Sequence, residues 1–81
     1  MFINKTDDGF NNICGKNIAD FRKQMHISQR ELAEQLQLVG LDVDKNAIQR
    51  IEARKRFVTD IELIALSKAL KKPLNEILGI E

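Results

Sequence analysis

The chain has 81 residues, of which 43% are hydrophobic and 31% are charged, a composition that suits one small soluble domain. The chain has 13 lysines and arginines and 12 acidic residues, so its net charge is only +1. This near-neutral charge excludes a uniformly basic nucleic-acid-binding tail and requires any basic site to be local. The single cysteine, Cys14, excludes an internal disulfide framework and is expected to be a small buried residue. No apolar run approaches the roughly 20 residues of a membrane span, and no secretory signal pattern is present, so we expect a cytoplasmic protein.

Residues 1–14 show no periodicity, and we expect them to form an arm with a few apolar anchors. From residue 15 onward the apolar spacing is helical. Ile18, Phe21 and Met25 recur at intervals of three and four residues, which predicts a first helix from about residue 15 to residue 25.

Capping residues predict where the next helices begin and end. Ser28 and Glu31 match a capping box that begins a second helix, and Gly40 is expected just beyond the end of that helix. Asp44 is the N-cap candidate of a third helix, residues 45–53.

A second capping box, Thr59 with Glu62, predicts a fourth helix that ends at about Leu70. Pro73 and Gly79 bracket a short fifth helix. No segment alternates as a strand does, so we predict an all-α domain of five short helices. The residues expected to face the core from the last two helices are Ile61, Ile64, Ala65, Ala69, Leu70, Leu74, Ile77 and Leu78.

Several short motifs follow one another along these helices. They are Ile18-x-x-Phe21-Arg22, Ser28-Gln29-x-Glu31-Leu32-Ala33-x-x-Leu36, Val43-Asp44-x-x-Ala47-Ile48-x-Arg50-Ile51-Glu52, Ala65-x-x-x-Ala69-Leu70 and Leu74-x-Glu76-Ile77-Leu78. The ordered set resembles the phage-repressor type of helix-turn-helix domain, the Cro/CI-like or XRE group, in a sub-branch with a longer turn between the two motif helices. The resemblance covers roughly residues 15–79 and implies a lambda-repressor-like DNA-binding domain, residues 15–81, behind the arm of residues 1–14.

In a helix-turn-helix, the second helix of the motif enters the major groove of DNA. The resemblance therefore implies that the third helix reads bases. Lysine and arginine suit guanine, and asparagine and glutamine suit adenine. The candidate base-reading residues are Lys45, Asn46, Gln49 and Arg50.

The resemblance also implies contacts that carry no sequence information. Gln29, at the start of the second helix, is expected against a DNA phosphate. Residues 45–56 hold five basic side chains and one acidic side chain, so we expect Arg54, Lys55 and Arg56 to contact phosphates as well, the alternative being a merely solvated cluster. The resemblance further implies that Arg22 and Glu52 form a structural ion pair. The predicted site thus consists of the base-reading candidates, the phosphate candidates and this pair.

Two features depart from the family pattern. Residues 37–42 stand where the family usually has one glycine, and their apolar members Leu38, Val39 and Leu41 either cap the core or belong to a dimer surface. After the third helix the family commonly has Asn-Gly, whereas this chain has Ala53-Arg54, so the turn must be made without glycine.

The function that we predict is a sequence-specific DNA-binding transcriptional regulator, a repressor that binds a double-stranded operator as a homodimer. Two alternatives remain: a DNA-binding antitoxin of a toxin–antitoxin pair, or a protein-interaction module that has lost DNA binding. In either alternative, a protein such as a toxin or an anti-repressor is the partner. No pattern indicates an enzyme, a cofactor or a metal site.

Overall fold

The computed structural model describes residues 5–80, so residues 1–4 of the predicted arm and residue 81 lie outside the described residues. Five helices and no strand occur in the described part, which confirms the all-α prediction. None of these helices is both long enough and apolar enough to cross a lipid bilayer. The helices are α1 Gly15–Gln24, α2 Gln29–Leu38, α3 Lys45–Glu52, α4 Asp60–Leu70 and α5 Leu74–Leu78.

The three predicted side-chain caps are all present. The Ser28 hydroxyl accepts a hydrogen bond from the Glu31 N–H at 3.0 Å, and the Glu31 carboxylate accepts one from the Ser28 N–H at 2.9 Å. Thr59 and Glu62 exchange the same two bonds at the start of α4. Asp44 accepts from the backbone N–H three residues later at 2.8 Å. Each cap satisfies amide groups that a helix start leaves unpaired, which is why the predicted and observed starts agree.

One core lies where the five helices meet. Burying each large aliphatic side chain in it contributes roughly 1.5–3 kcal/mol. Cys14 is also buried in this core, as expected, and burial raises the pKa of its thiol. The fully buried aliphatic residues are Ile18, Leu32, Leu36, Ile48, Ile51, Leu66, Leu70 and Ile77.

The predicted inward face of α4 is partly wrong. Ile61 and Ile64 are 71% and 50% exposed, whereas Leu66 is fully buried and Leu63 is half-buried. Apolar residues occur all around α4, so periodicity alone does not select the face that packs. The structure buries the side of α4 that carries Leu66, Ala69 and Leu70, and Glu62 can lie on that side because its carboxylate is held by its cap and by a neighbouring arginine.

The short helix α5 also differs from expectation at one position. Ile77 is fully buried, but Leu74 is 42% exposed. A helix of little more than one turn places only one side against the core, and that side is centred on Ile77.

The connection between α2 and α3 is ordered by backbone bonds. Gly40 has a φ of +92°, its N–H donates to the Gln37 carbonyl at 3.1 Å, and the Leu41 N–H donates to the Leu36 carbonyl at 2.9 Å. This is a Schellman ending, in which glycine takes the left-handed position at little cost. Leu41 packs against the core, whereas Leu38 projects into solvent.

Candidate nucleic-acid interface

The outward side of α3 carries four polar side chains. α3 buries Ile48 and Ile51 and packs against α2 and α1, so its opposite side faces solvent. The residues on that side are fully available to an external partner: within residues 5–80 their side chains form no hydrogen bond or ion pair. They are the four predicted base-reading residues, Lys45, Asn46, Gln49 and Arg50, and all are exposed.

The far end of α3 is tied to α1 and α2 through one carboxylate. Arg22 donates to Glu52 through Nε at 2.7 Å and through Nη2 at 3.0 Å, and Gln29 Nε2 donates to Glu52 Oε1 at 3.0 Å. A third Arg22 bond reaches the Ile27 carbonyl at 2.8 Å. The hydrogen bond with Glu52 raises the pKa of Arg22 above its ordinary value, against the smaller opposing effect of burial. The structure thus brings together the residues of the expected ion pair, and it adds Gln29 to them.

Gln29 therefore has a role that the sequence did not suggest. Its side-chain amide orients Glu52 inside the protein. Gln29 is also the first residue of α2, where backbone N–H groups point out of the helix. A phosphate contact at this helix start remains a prediction.

The three basic residues after α3 differ in their surroundings. Arg54 Nε donates to the Asn12 carbonyl at 3.0 Å, and its guanidinium lies 4.2 Å from the centre of the Phe10 ring. Arg56 Nη2 lies 2.8 Å from Glu62 Oε2. Lys55 is exposed, and its side chain has no partner among residues 5–80. Two of the three cations are thus already engaged within the protein, and Lys55 is the one directed to solvent.

Asn12, in the arm, is a buried side chain that holds the end of α3, and sequence reasoning missed it. Its Nδ2 donates to the Ile51 carbonyl at 3.2 Å and to the Arg56 carbonyl at 2.8 Å, while its Oδ1 accepts from the Gly15 N–H at 2.9 Å. Only the last bond is local enough to leave a signal in the sequence. The other two join backbone groups about forty residues away, which no local pattern indicates.

A family model described as helix-turn-helix matches residues 18–77. The chain belongs to the phage-repressor (XRE) type of helix-turn-helix family. Members of this family are DNA-binding transcription regulators, and the match includes α2 and α3, the two helices of the motif.

Solved structures show the same fold. The P22 c2 repressor protein, in complex with a synthetic operator, is 27% identical with a TM-score of 0.72, covering 86% of this chain and 98% of that one. The restriction-modification controller protein C.AhdI from Aeromonas hydrophila is 22% identical (TM-score 0.68; 78% and 84% covered). A hypothetical transcription factor, NHTF from Neisseria, is 19% identical (TM-score 0.73; 90% and 78% covered). No curated protein sequence matches significantly.

This helix-turn-helix domain makes the turn after α3 without glycine, as its sequence requires. Arg54 adopts a left-handed conformation with a φ of +63°, and the Lys55 N–H donates to the Arg50 carbonyl at 3.0 Å. The left-handed backbone costs a non-glycine residue roughly 1–2 kcal/mol. The contacts of the Arg54 side chain with the arm offset that cost.

Acidic groups also lie near the start of α3. The Asp44 carboxylate is engaged as the cap of α3, and Asp42 is exposed. Within residues 5–80, no three His, Cys, Asp or Glu side chains are grouped to hold a metal ion.

The Arg56–Glu62 pair predicts a pH-dependent stability. Burial opposes ionisation of Glu62, but the hydrogen bonds from Arg56 and from the Thr59 N–H outweigh it, so the pKa of Glu62 lies below its ordinary value of 4.5. A lowered folded-state pKa stabilises the fold fully above about pH 4.5, and this contribution is lost as the pH falls through the folded-state pKa.

The measurement is urea denaturation of the wild type and Glu62→Gln from about pH 7 to about pH 3. We expect the stability difference between them to shrink at the acidic end. Glu76→Gln, on an exposed side of α5, is the matched control for the loss of one carboxylate. A difference that stays constant with pH would contradict the assignment.

Proposed function

We propose that this protein is a sequence-specific transcriptional repressor that reads the major groove of an operator with α3. The observation that carries the proposal is the set of four exposed polar side chains on the outward side of α3, none of them paired within residues 5–80. Lysine and arginine donors match guanine, and asparagine and glutamine amides match adenine. The bonds from Arg22 and Gln29 to Glu52 hold α3 in place, which keeps the reading side chains in a fixed orientation.

Repression follows from occupancy of the operator. The likeness to the P22 c2 repressor protein, itself solved with a synthetic operator, supports this part of the proposal. One helix as short as α3 reads only a few base pairs, so we expect two copies on a pseudo-palindromic site with half-sites about 34–36 Å apart.

The test begins with selection of bound duplexes from a random pool, which yields the operator. On that operator, Asn46→Ala and Arg50→Ala should each weaken binding by roughly 1–3 kcal/mol, because each removes donors directed at bases. Binding to random DNA should remain nearly unchanged. The measurement is fluorescence anisotropy with both duplexes.

Asn75→Ala, a change of the same kind on an exposed side of α5, is the control and should bind as the wild type does. If the Asn46 and Arg50 variants lost equal affinity for operator and random DNA, these residues would not be readers. If no duplex were enriched, the proposed function itself would fail.

Lys55 is expected to contact phosphate. Its exposed ammonium directly follows the end of α3, where a chain that leaves the groove passes the sugar–phosphate backbone. Lys55→Ala should weaken binding to any duplex and reduce the slope of log affinity against log salt by about 0.9 for each subunit. Lys71→Ala is the control, because Lys71 directly follows the last residue of α4, and this change should leave the salt slope unaltered. A salt slope unchanged by Lys55→Ala would show that this lysine is only solvated.

A further inference from the structure

Within residues 5–80, nothing covers an apolar surface on the side formed by α4 and the end of α2. We call Leu38, Val39, Ile61 and Ile64 the α4–α2 apolar surface. Leu38 is 87% exposed and Ile61 is 71% exposed. Val39, Ile61 and Ile64 also line one shallow cavity of about 160 Å³. Large aliphatic side chains grouped in this way mark a contact surface.

Opposite charges lie at the two ends of the same side of α4. Asp60, Ile61, Ile64 and Lys68 fall within a helical arc of about 100°, because successive residues are 100° apart. Asp60 and Lys68 are separated by about 12 Å along the axis, at 1.5 Å per residue, so they cannot pair with each other. Both are exposed, and neither forms an ion pair with any residue from 5 to 80.

We propose that a second copy of this chain covers the α4–α2 apolar surface, with the two α4 helices packed antiparallel about a two-fold axis at Ile64. In that arrangement Asp60 of each copy faces Lys68 of the other, and Ile64 faces Ile64. The surface is thus complementary to itself, as a two-fold interface requires. A parallel arrangement would place Asp60 against Asp60 and is disfavoured.

Further apolar contact comes from outside α4. Val39 lines the same shallow cavity as Ile61 and Ile64, and the exposed Leu38 precedes it as the last residue of α2. That cavity can receive an aliphatic side chain of the second copy. The inserted residues 37–42 thereby acquire a role as part of a dimer surface. The choice of a second copy, and not a foreign protein, rests in part on the proposed function, which calls for two reading helices.

The experiment is sedimentation equilibrium of the full chain without DNA, with Asp60→Lys and Lys68→Asp measured separately and in an equimolar mixture. Each variant alone brings like charges together twice in the dimer, so its dimer dissociation constant should rise at least about tenfold. In the mixture each introduced charge faces its opposite, so a heterodimer of nearly wild-type affinity should form. Circular dichroism checks folding; Lys68→Asp leaves the start of α4 intact and keeps the test valid if Asp60→Lys unfolds.

Ile64→Asp should make the chain monomeric, whereas Leu74→Asp, at an exposed apolar position on α5, should leave the dimer intact. Asp20→Lys, an exposed charge reversal on α1, should also leave it intact. A wild type that stays monomeric well above micromolar concentration, or a mixture that fails to regain affinity, would overturn the proposal. The experiment contains no DNA, so its failure is distinct from a failure of the proposed function. A chain that stays monomeric could still bind a half-site of the operator as a single copy.

Discussion

Replacing Glu52 with alanine is expected to lower the free energy of unfolding by about 3–5 kcal/mol. The Glu52 side chain is 8% exposed and accepts three hydrogen bonds, two from Arg22 and one from Gln29. Its removal leaves a mostly buried guanidinium with no counter-charge, and this unpaired charge is the main cost. The total free energy of unfolding of a small domain is roughly 5–15 kcal/mol, so the variant should be close to unfolding at moderate temperature.

Urea denaturation of Glu52→Ala, Arg22→Ala and the double variant measures how much the two side chains stabilise each other. Because each single change strands the other partner, the double variant should lose clearly less than the sum of the two losses. Glu52→Gln, which keeps the size of the side chain and one oxygen acceptor, should lose less than Glu52→Ala. Additive losses would show that the two side chains do not stabilise each other. Operator affinity of the folded fraction should also fall, since the end of α3 would lose its link to α1 and α2.

Gly15→Ala is expected to destabilise the fold by about 3 kcal/mol, the upper range for overpacking. A Cβ at this position would overlap the Ile51 carbonyl oxygen and would lie 2.9 Å from Arg54 Cγ and 3.0 Å from Asn12 Oδ1. The Ile51 carbonyl belongs to the backbone of α3 and also accepts from Asn12, so it cannot move aside cheaply. Alanine gains up to about 1 kcal/mol in helix propensity over glycine, which is too little to reverse the sign.

Thermal or urea denaturation measures this effect, with Lys16→Ala as the control at the next position of the same helical turn, where the side chain is exposed. The control should change stability by less than about 0.5 kcal/mol. The displacement of α1 from the end of α3 should also disturb the bonds between the arm and the backbone of residues 51–56. A Gly15→Ala variant as stable as the wild type would mean that the two helices separate without loss.

The candidate site divides into a part that the sequence predicts and a part that it does not. Helical spacing and the Asp44 cap are sufficient to place Lys45, Asn46, Gln49 and Arg50 on one exposed side of α3. The family pattern is sufficient to pair Arg22 with Glu52. Neither reveals that the arginines after α3 bind the arm and α4, because those partners are distant in sequence and the bonds form only when the chain is folded.

The helices themselves follow from the sequence alone. The side-chain caps at Ser28, Asp44 and Thr59 and the glycines after α2 and α5 act over three to five residues, so their physics is local and the helix ends agree with prediction to within one residue.

Only the tertiary structure decided which surfaces these helices cover. α4 has apolar residues on every side, and its neighbours determine that Leu66 is buried while Ile61 and Ile64 face solvent. The arm becomes part of the domain because the Asn12 side-chain amide donates to the Ile51 and Arg56 carbonyls, at and just beyond the end of α3 and some forty residues away in sequence. Both outcomes depend on which groups meet after folding, since hydrophobic burial has no direction and a hydrogen bond needs both of its partners in place.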